Sequence, residues 1–242
     1  YHIPSALRLL GTLDVAALQQ ALDALLTRHE ALRTVFVAQA GSPSQLVLPP
    51  APFALTVSDL RDQDAAAREH TLTHQSREEA LAEFDLSRGP LIRARLLRLA
   101  DEEHVLLLTM HHIISDGWSI GVMVREFTAL YAAFVQQLPD PLPALPIQYP
   151  DFSHWQRQWL RGEVLEQQLA FWRASLADAP ALLELPADRP RAAAQTYAGD
   201  QLPVVLEADL SAALKSLARR HGATLFMVLL SAWAALLSRL SN

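Results

Sequence analysis

The stretch that most restricts how this chain can fold is "PLIRARLLRLADEEHVLLLTMHH", residues 90–112. Two long apolar runs flank the polar turn "ADEE", a pattern that reads as an antiparallel hairpin. The second strand ends on His111 and His112, and "IISDGWS" follows. Successive side chains of a strand point to opposite faces, so both histidines cannot enter one cavity. One can face a site while the other packs or hydrogen-bonds behind it.

The rest of the chain supplies helices and further strands. "YHIPSALRLLG" opens strand-like. Asp14 can cap a helix on which Val15, Leu18, Leu22, Leu25 and Leu26 share a face. "LRTVFV" (32–37) reads as a strand, and a second amphipathic helix is expected over about 61–83. A helix over 118–137 carries Ile120, Val124, Phe127 and Tyr131 at helical spacing. The connection "LPDPLPALPIQYP" is too rich in proline for helix or central strand. Asp151 is then expected to cap one long helix ending near Ala177. After an irregular stretch (177–200), "LPVVLEA" is expected as a strand, followed by a helix closed by Gly222. A last helix runs from Thr224. This mixture predicts an α/β (α+β) two-layer sandwich.

Composition removes several functions. A net charge of −6, with Lys215 the only lysine, offers no basic face for nucleic acid. With zero cysteines there is no disulfide framework, thiolate zinc site or cysteine nucleophile. No signal peptide is visible, and the longest apolar stretch (225–237) is short for a bilayer and interrupted by Ser231. The chain therefore reads as soluble, with no membrane partner and a cytoplasmic setting. His2, His29, His70, His74, His104, His154 and His221 are scattered without HExxH, so no metal site is expected. His70 and His74, with Glu69 and Glu78 nearby, read as a solvated helix face. GxSxG, GxGxxG and GxxxxGK[ST] are absent, which leaves serine-hydrolase and nucleotide chemistry without support.

The histidine pair is what remains. A neutral imidazole suits proton transfer near neutral pH, although a histidine at a strand end is more often structural. Gly117 can allow a tight turn before a helix whose N-terminus provides free N–H groups and a positive dipole end. Asp116 can accept from a histidine, pair with an arginine or cap the helix. Trp118, Tyr149 and Trp155 are expected in the core more than at a ligand.

"HHIISDGWS" matches the HHxxxDG motif of the condensation domains of nonribosomal peptide synthetases, relatives of the chloramphenicol acetyltransferase fold. "RHEALRTVF", Arg28–Phe36, resembles that family's RHExLRTxF motif, and "YPDFSHWQRQWL" its YxDxxxWQ region. The likeness runs over essentially the whole chain. It implies an amide-bond-forming acyl or peptidyl transferase with a tunnel between two lobes. Donor and acceptor thioesters arrive there on the phosphopantetheine arms of upstream and downstream peptidyl carrier proteins. The chain would need no cofactor of its own, and an adenylation domain would be its neighbour. "SDGWS" followed by "GVMVREFTALY" looks most like the type joining an L-configured donor to an L-configured acceptor.

By the same resemblance His112 is the catalytic residue, with His111 supporting it from behind. Asp116 is largely structural, pairing with an arginine; Gly117 offers a backbone N–H to an oxyanion or makes only a turn; Arg28 and Arg33 brace the first lobe. The resemblance divides the chain into a first lobe, 1–177, and a linker with the opening of the second, 178–242. The usual AQxRLWxL segment is not seen before "YHIP", and family members continue for roughly as many residues again. The chain is therefore expected to be truncated at both ends, with its second lobe incomplete, and inactive by itself. Two other readings share the fold: a non-catalytic module that recruits a carrier protein or enzyme, and a coenzyme A-dependent acyltransferase.

Overall fold

Ile92–Ala100 and Glu103–His111 pair as the antiparallel hairpin that the sequence implies, with Leu96 opposite Leu106 and Ile92 opposite Met110. The computed structural model describes residues 1–39, 41–190, 193–194, 199 and 202–241. These fall into two units, Tyr1–Leu165 and Glu166–Asn242. In chain order the first unit holds β1 (His2–Leu10), α1 (Val15–Arg28), β2 (Thr34–Gln39), β3 (Ser42–Val47) and β4 (Leu55–Asp59). It continues with α2 (Ala65–Leu81), β5 (Ile92–Ala100), β6 (Glu103–His111), α3 (Gly117–Val135), α4 (Tyr149–Trp159) and the start of α5 (Glu163–Ser175).

The main sheet runs β1-β6-β5-β4, with β4 parallel to β5 and the other pairs antiparallel. Leu96, Leu106, Leu108 and Met110 pack with Leu18, Leu22 and Leu25 of α1 and Leu130 of α3. Leu97, Leu99, Val105 and Leu107 form a second cluster on the opposite face, against Leu60 and Leu72 of α2. A strand covered on both faces carries a near-continuous apolar run, which is why "HVLLLTM" shows so little polar alternation. Each fully buried leucine here contributes about 1.5–3 kcal/mol. The mixed α/β class predicted from sequence is the one observed.

Local signals fix the elements that carry the site. The Asp14 carboxylate caps α1 by accepting the Ala17 N–H at 2.9 Å, and the Asp14 N–H donates to the Tyr131 hydroxyl of α3 at 3.1 Å. β2 and β3 pair with each other, and the Phe36 N–H reaches the Leu86 carbonyl at 2.7 Å. α3 is apolar and long enough by composition to cross a membrane. Its Ile120, Met123, Phe127, Tyr131 and Phe134 nevertheless pack against the core cluster, and its Leu130 is buried within it.

Several expectations are corrected. β3 and β4 were not visible in the sequence pattern. The single long helix from Asp151 is two, because the chain breaks after Trp159 and Gly162 takes a positive φ of 57°. Asp151 lies inside α4 rather than at its cap, and its carboxylate accepts the Gln148 N–H at 2.9 Å. Residues 202–207 form no strand, and no described strand lies alongside them. β-branched residues favour a strand only where a neighbouring strand completes the ladder.

The irregular stretch 177–200 lies partly outside the described residues. The second unit otherwise contains the rest of α5, then α6 (Ala208–Arg220) and α7 (Leu225–Leu240). Gly222, at φ 61°, closes α6 as expected. Thr224 caps α7 by accepting the Met227 N–H at 3.2 Å, and the two helices meet at a bend of 105°. α7 is apolar on nearly all sides, and none of its residues is buried. Trp118, Tyr149 and Trp155 are not core residues either, being 83%, 56% and 52% exposed.

Candidate functional site

The end of β6 separates the two histidines. The His111 N–H donates to the Leu91 carbonyl at 2.9 Å on one side, and the His112 N–H donates to the Tyr1 carbonyl at 2.8 Å on the other. Adjacent segments therefore hold the first step beyond the strand from both edges. Met110 and His112 line a groove of about 520 Å³, whereas His111 does not. This is the strand alternation argued from sequence, carried one residue past the strand.

Behind the sheet the His111 ring lies edge-on to His2 and Phe84, each 6.1 Å away between centroids. Its Nδ1 accepts the Ile113 N–H at 3.0 Å, so a neutral His111 carries its proton on Nε2. Burial, then the nearby positive groups at the chain start, His2 and His112, holds the His111 imidazole below its usual range. His2 Nδ1 in turn donates to the Ala80 carbonyl at the end of α2, at 2.9 Å.

The loop 112–116 runs from the catalytic candidate into α3. Asp116 caps that helix: its carboxylate accepts the Ser119 N–H at 2.8 Å and the Ser119 hydroxyl at 2.6 Å. The Ser119 hydroxyl and N–H hold the Asp116 carboxyl below the usual carboxylate range, so it is ionised at neutral pH. The arginine partner implied by the family resemblance is not found among the described residues; α3 supplies the donors instead. Gly117 is the first residue of α3, and a Cβ there would meet nothing within 4 Å. Its φ lies outside the left-handed region, so the backbone there does not itself require glycine. Its N–H finds no acceptor among the described residues.

His29 of the "RHE" segment lines the groove as well, and its neighbours are tied down around it. Glu126 of α3 accepts from Arg28 Nε at 3.2 Å and pairs with His29 Nε2 at 2.5 Å through the same oxygen. Arg28 Nη1 also donates to the Pro143 carbonyl at 2.7 Å. The Gln148 side chain donates to the Arg28 carbonyl at 2.9 Å and accepts the Glu30 N–H at 3.1 Å. Arg33 Nη1 donates to the Leu48 carbonyl at 2.5 Å. Both motif arginines thus tie separate segments of the first unit together. Sequence reasoning missed Glu126 and Gln148, which lie 97 and 118 residues from the partners they fix. No group of potential metal ligands occurs among the described residues, and His70 and His74 stack on the exposed side of α2, 6.5 Å apart.

The His112 imidazole thus stands on a groove wall beside the Asp116-capped end of α3, a placement chemically able to handle a proton. Comparison with known proteins specifies the family. The family model described as Condensation domain matches residues 1–242. Malpibaldin synthetase of Mortierella alpina is 52% identical over 245 residues, covering 100% of this chain and 4% of that protein. Chondramide synthase cmdD of Chondromyces crocatus is 46% identical over 242 residues, covering 100% of this chain and 6% of its own length. The solved X-domain from teicoplanin biosynthesis superposes with a TM-score of 0.89 at 33% identity, over 99% of this chain and 52% of its own. The chain belongs to the condensation domain family, and it spans only a small part of the synthetases it resembles.

Proposed function

We propose that the chain supplies the His112 wall of a condensation site that joins a donor acyl or peptidyl thioester to the α-amine of an acceptor aminoacyl thioester. Both substrates arrive on phosphopantetheine arms of carrier proteins, in a cytoplasmic assembly that also includes an adenylation domain. The observation that carries this reading is the separation of the two histidines: His112 lines the groove, while His111 is fixed behind it.

An α-amine with a pKa near 8 is mostly protonated at neutral pH, so attack requires that a proton be lost before or during formation of the tetrahedral intermediate. In this reading His112 takes that proton or holds the amine in line. Asp116 also lines the groove, where its part is to cap α3 and so set the loop that carries His112. The free Gly117 N–H, with no Cβ in front of it, stabilises the oxyanion. In this reading donor and acceptor are both L-configured, which the resemblance of "SDGWS" to the corresponding type of condensation domain supports.

The test uses the full-length protein containing these residues, with both carrier proteins loaded, and reads the acceptor carrier by mass spectrometry. His112→Ala is expected to abolish product while leaving the fold intact, and near-normal product from that variant would overturn the reading. Donors loaded in the D configuration should give markedly less product than their L counterparts. A second reading, recruitment of another enzyme, has one observation in its favour: the teicoplanin X-domain has also been solved in complex with OxyB. Under that reading no product forms from loaded carriers and His112→Ala changes nothing.

A further inference from the structure

Ser115 stands between His112 and the cap of α3, only 8% exposed, and its hydroxyl has no hydrogen-bond partner among the described residues. A buried hydroxyl normally finds a partner, and leaving one unpaired costs stability. The nearby Asp116 carboxylate does not serve as its acceptor: its Oδ1 takes the Ser119 N–H and hydroxyl, and no bond links either oxygen to Ser115. Several of the neighbouring groove residues, Met110, Ile113, Ile114 and Met123 among them, offer no strong acceptor. Ser115 itself lines the groove with His112 and Asp116. At this end of α3, the Ser115 hydroxyl and the Gly117 N–H are two donors without acceptors among the described residues.

We infer that Ser115 is a catalytic hydrogen-bond donor whose partner is the carbonyl oxygen of the donor thioester. This rests on the reading that the His112 groove takes the thioester. As the substrate enters, the side chain turns about its single χ1 angle to present the hydroxyl. The amine nitrogen attacks the carbonyl carbon, a C–N bond forms, and the C=O π pair moves onto oxygen. Ser115 donates to that oxyanion without losing its proton. When the oxyanion collapses, the C–S bond breaks and the thiolate leaves, taking up the proton released from nitrogen. The hydroxyl is thus unpaired in the free protein and paired in the transition state, the difference that accelerates a reaction.

The test compares Ser115→Ala and Ser115→Cys with the parent in the full-length protein, by steady-state condensation with loaded carriers and by thermal unfolding. Ser115→Ala is expected to lower kcat about 100-fold with KM for the donor nearly unchanged. Its Tm should be equal or higher, because an unpaired buried hydroxyl has gone. Ser115→Cys keeps a similar shape with a weaker donor and should fall between the two. His112→Ala is run alongside: if it retains activity, the site reading itself fails. If His112→Ala is inactive while Ser115→Ala keeps its kcat, the inference about Ser115 alone fails. A loss confined to KM would place the hydroxyl on a carbonyl of the carrier arm and overturn it as well.

Discussion

His111 Nδ1 accepts the Ile113 N–H at 3.0 Å, so the histidine outside the groove holds the loop that carries the one inside it. That bond requires an unprotonated Nδ1. Because the folded-state pKa of His111 is lowered, the unfolded chain binds more protons as pH falls through the ordinary histidine range. This contribution to stability is complete above the unfolded value and is lost as pH drops toward the folded one. The Tm should therefore fall between about pH 7 and pH 5. In His111→Asn, whose side-chain oxygen can accept the same N–H without titrating, the fall should be shallower. His104, also buried with a lowered pKa, titrates in both proteins and cancels in the comparison. Identical pH profiles for the two proteins would remove His111 from this role.

Asp116 is expected to act through the helix it caps. Asp116→Ala removes the acceptor for the Ser119 N–H and hydroxyl, and should lower both Tm and turnover. Asp116→Asn keeps an oxygen at the cap and should retain most of the stability. The carboxyl's lowered pKa has the opposite charge consequence to that of His111: its contribution is present above the unfolded value and lost as pH falls through the folded one, with the carboxylate becoming neutral rather than the imidazole becoming charged. Thermal unfolding of both variants checks this. A collapse of turnover in Asp116→Asn with unchanged Tm would put the charge into the chemistry.

Gly117 separates fold from function in another way. Nothing would obstruct a Cβ there and its φ requires no glycine. Alanine is also the better helix former, by up to about 1 kcal/mol. Gly117→Ala should keep or raise the Tm while turnover drops, because the methyl group would stand before the free N–H. Full turnover in this variant would mean that substrate does not approach that N–H.

How far the sequence reveals the molecule follows from where its information lies. The hairpin, the Asp14 and Thr224 caps and the split between His111 and His112 are set by residues close in the chain, so local patterns expose them. β3 and β4 are short, polar at several positions and defined by their partners, and β3 even contains Pro43. The segment 202–207 shows the converse, with strand composition but no neighbouring strand among the described residues. Glu126, Gln148 and Ser115 enter the site through long-range pairing or the lack of it, which no local pattern reports. The exposed aromatic residues of α4 misled for a related reason, since a large apolar side chain signals burial only on average.

Glu126 joins α3 to the end of α1 by accepting from both Arg28 and His29, with a side chain only 14% exposed. Removing it leaves the Arg28 guanidinium and the His29 ring without their shared acceptor. Glu126→Ala should destabilise the first unit by roughly 1.5–3 kcal/mol, the range for hydrogen bonds to charged groups. Adding Arg28→Ala should cost less than the sum of the two single changes, because one pairing is then lost twice. Denaturant unfolding of the three variants provides the cycle, and strict additivity would show that the pair does not couple.

The exposed apolar surface sets the last expectation. On α4, Tyr149, Phe152, Trp155 and Trp159 form a continuous row with successive ring centroids 5.7–6.0 Å apart. On α7, Phe226, Leu230 and Trp233 are 71%, 52% and 57% exposed. Each Å² of apolar surface removed from water contributes about 25 cal/mol, so contiguous patches of this kind favour association. These 242 residues expressed by themselves should therefore scatter light as a species larger than 26.8 kDa. They should also bind a hydrophobic dye more strongly than ordinary globular domains do. Leu230→Lys combined with Trp233→Lys should reduce association without loss of helix content, because both side chains are more than half exposed. A monodisperse monomer before any substitution would show that neither face drives assembly.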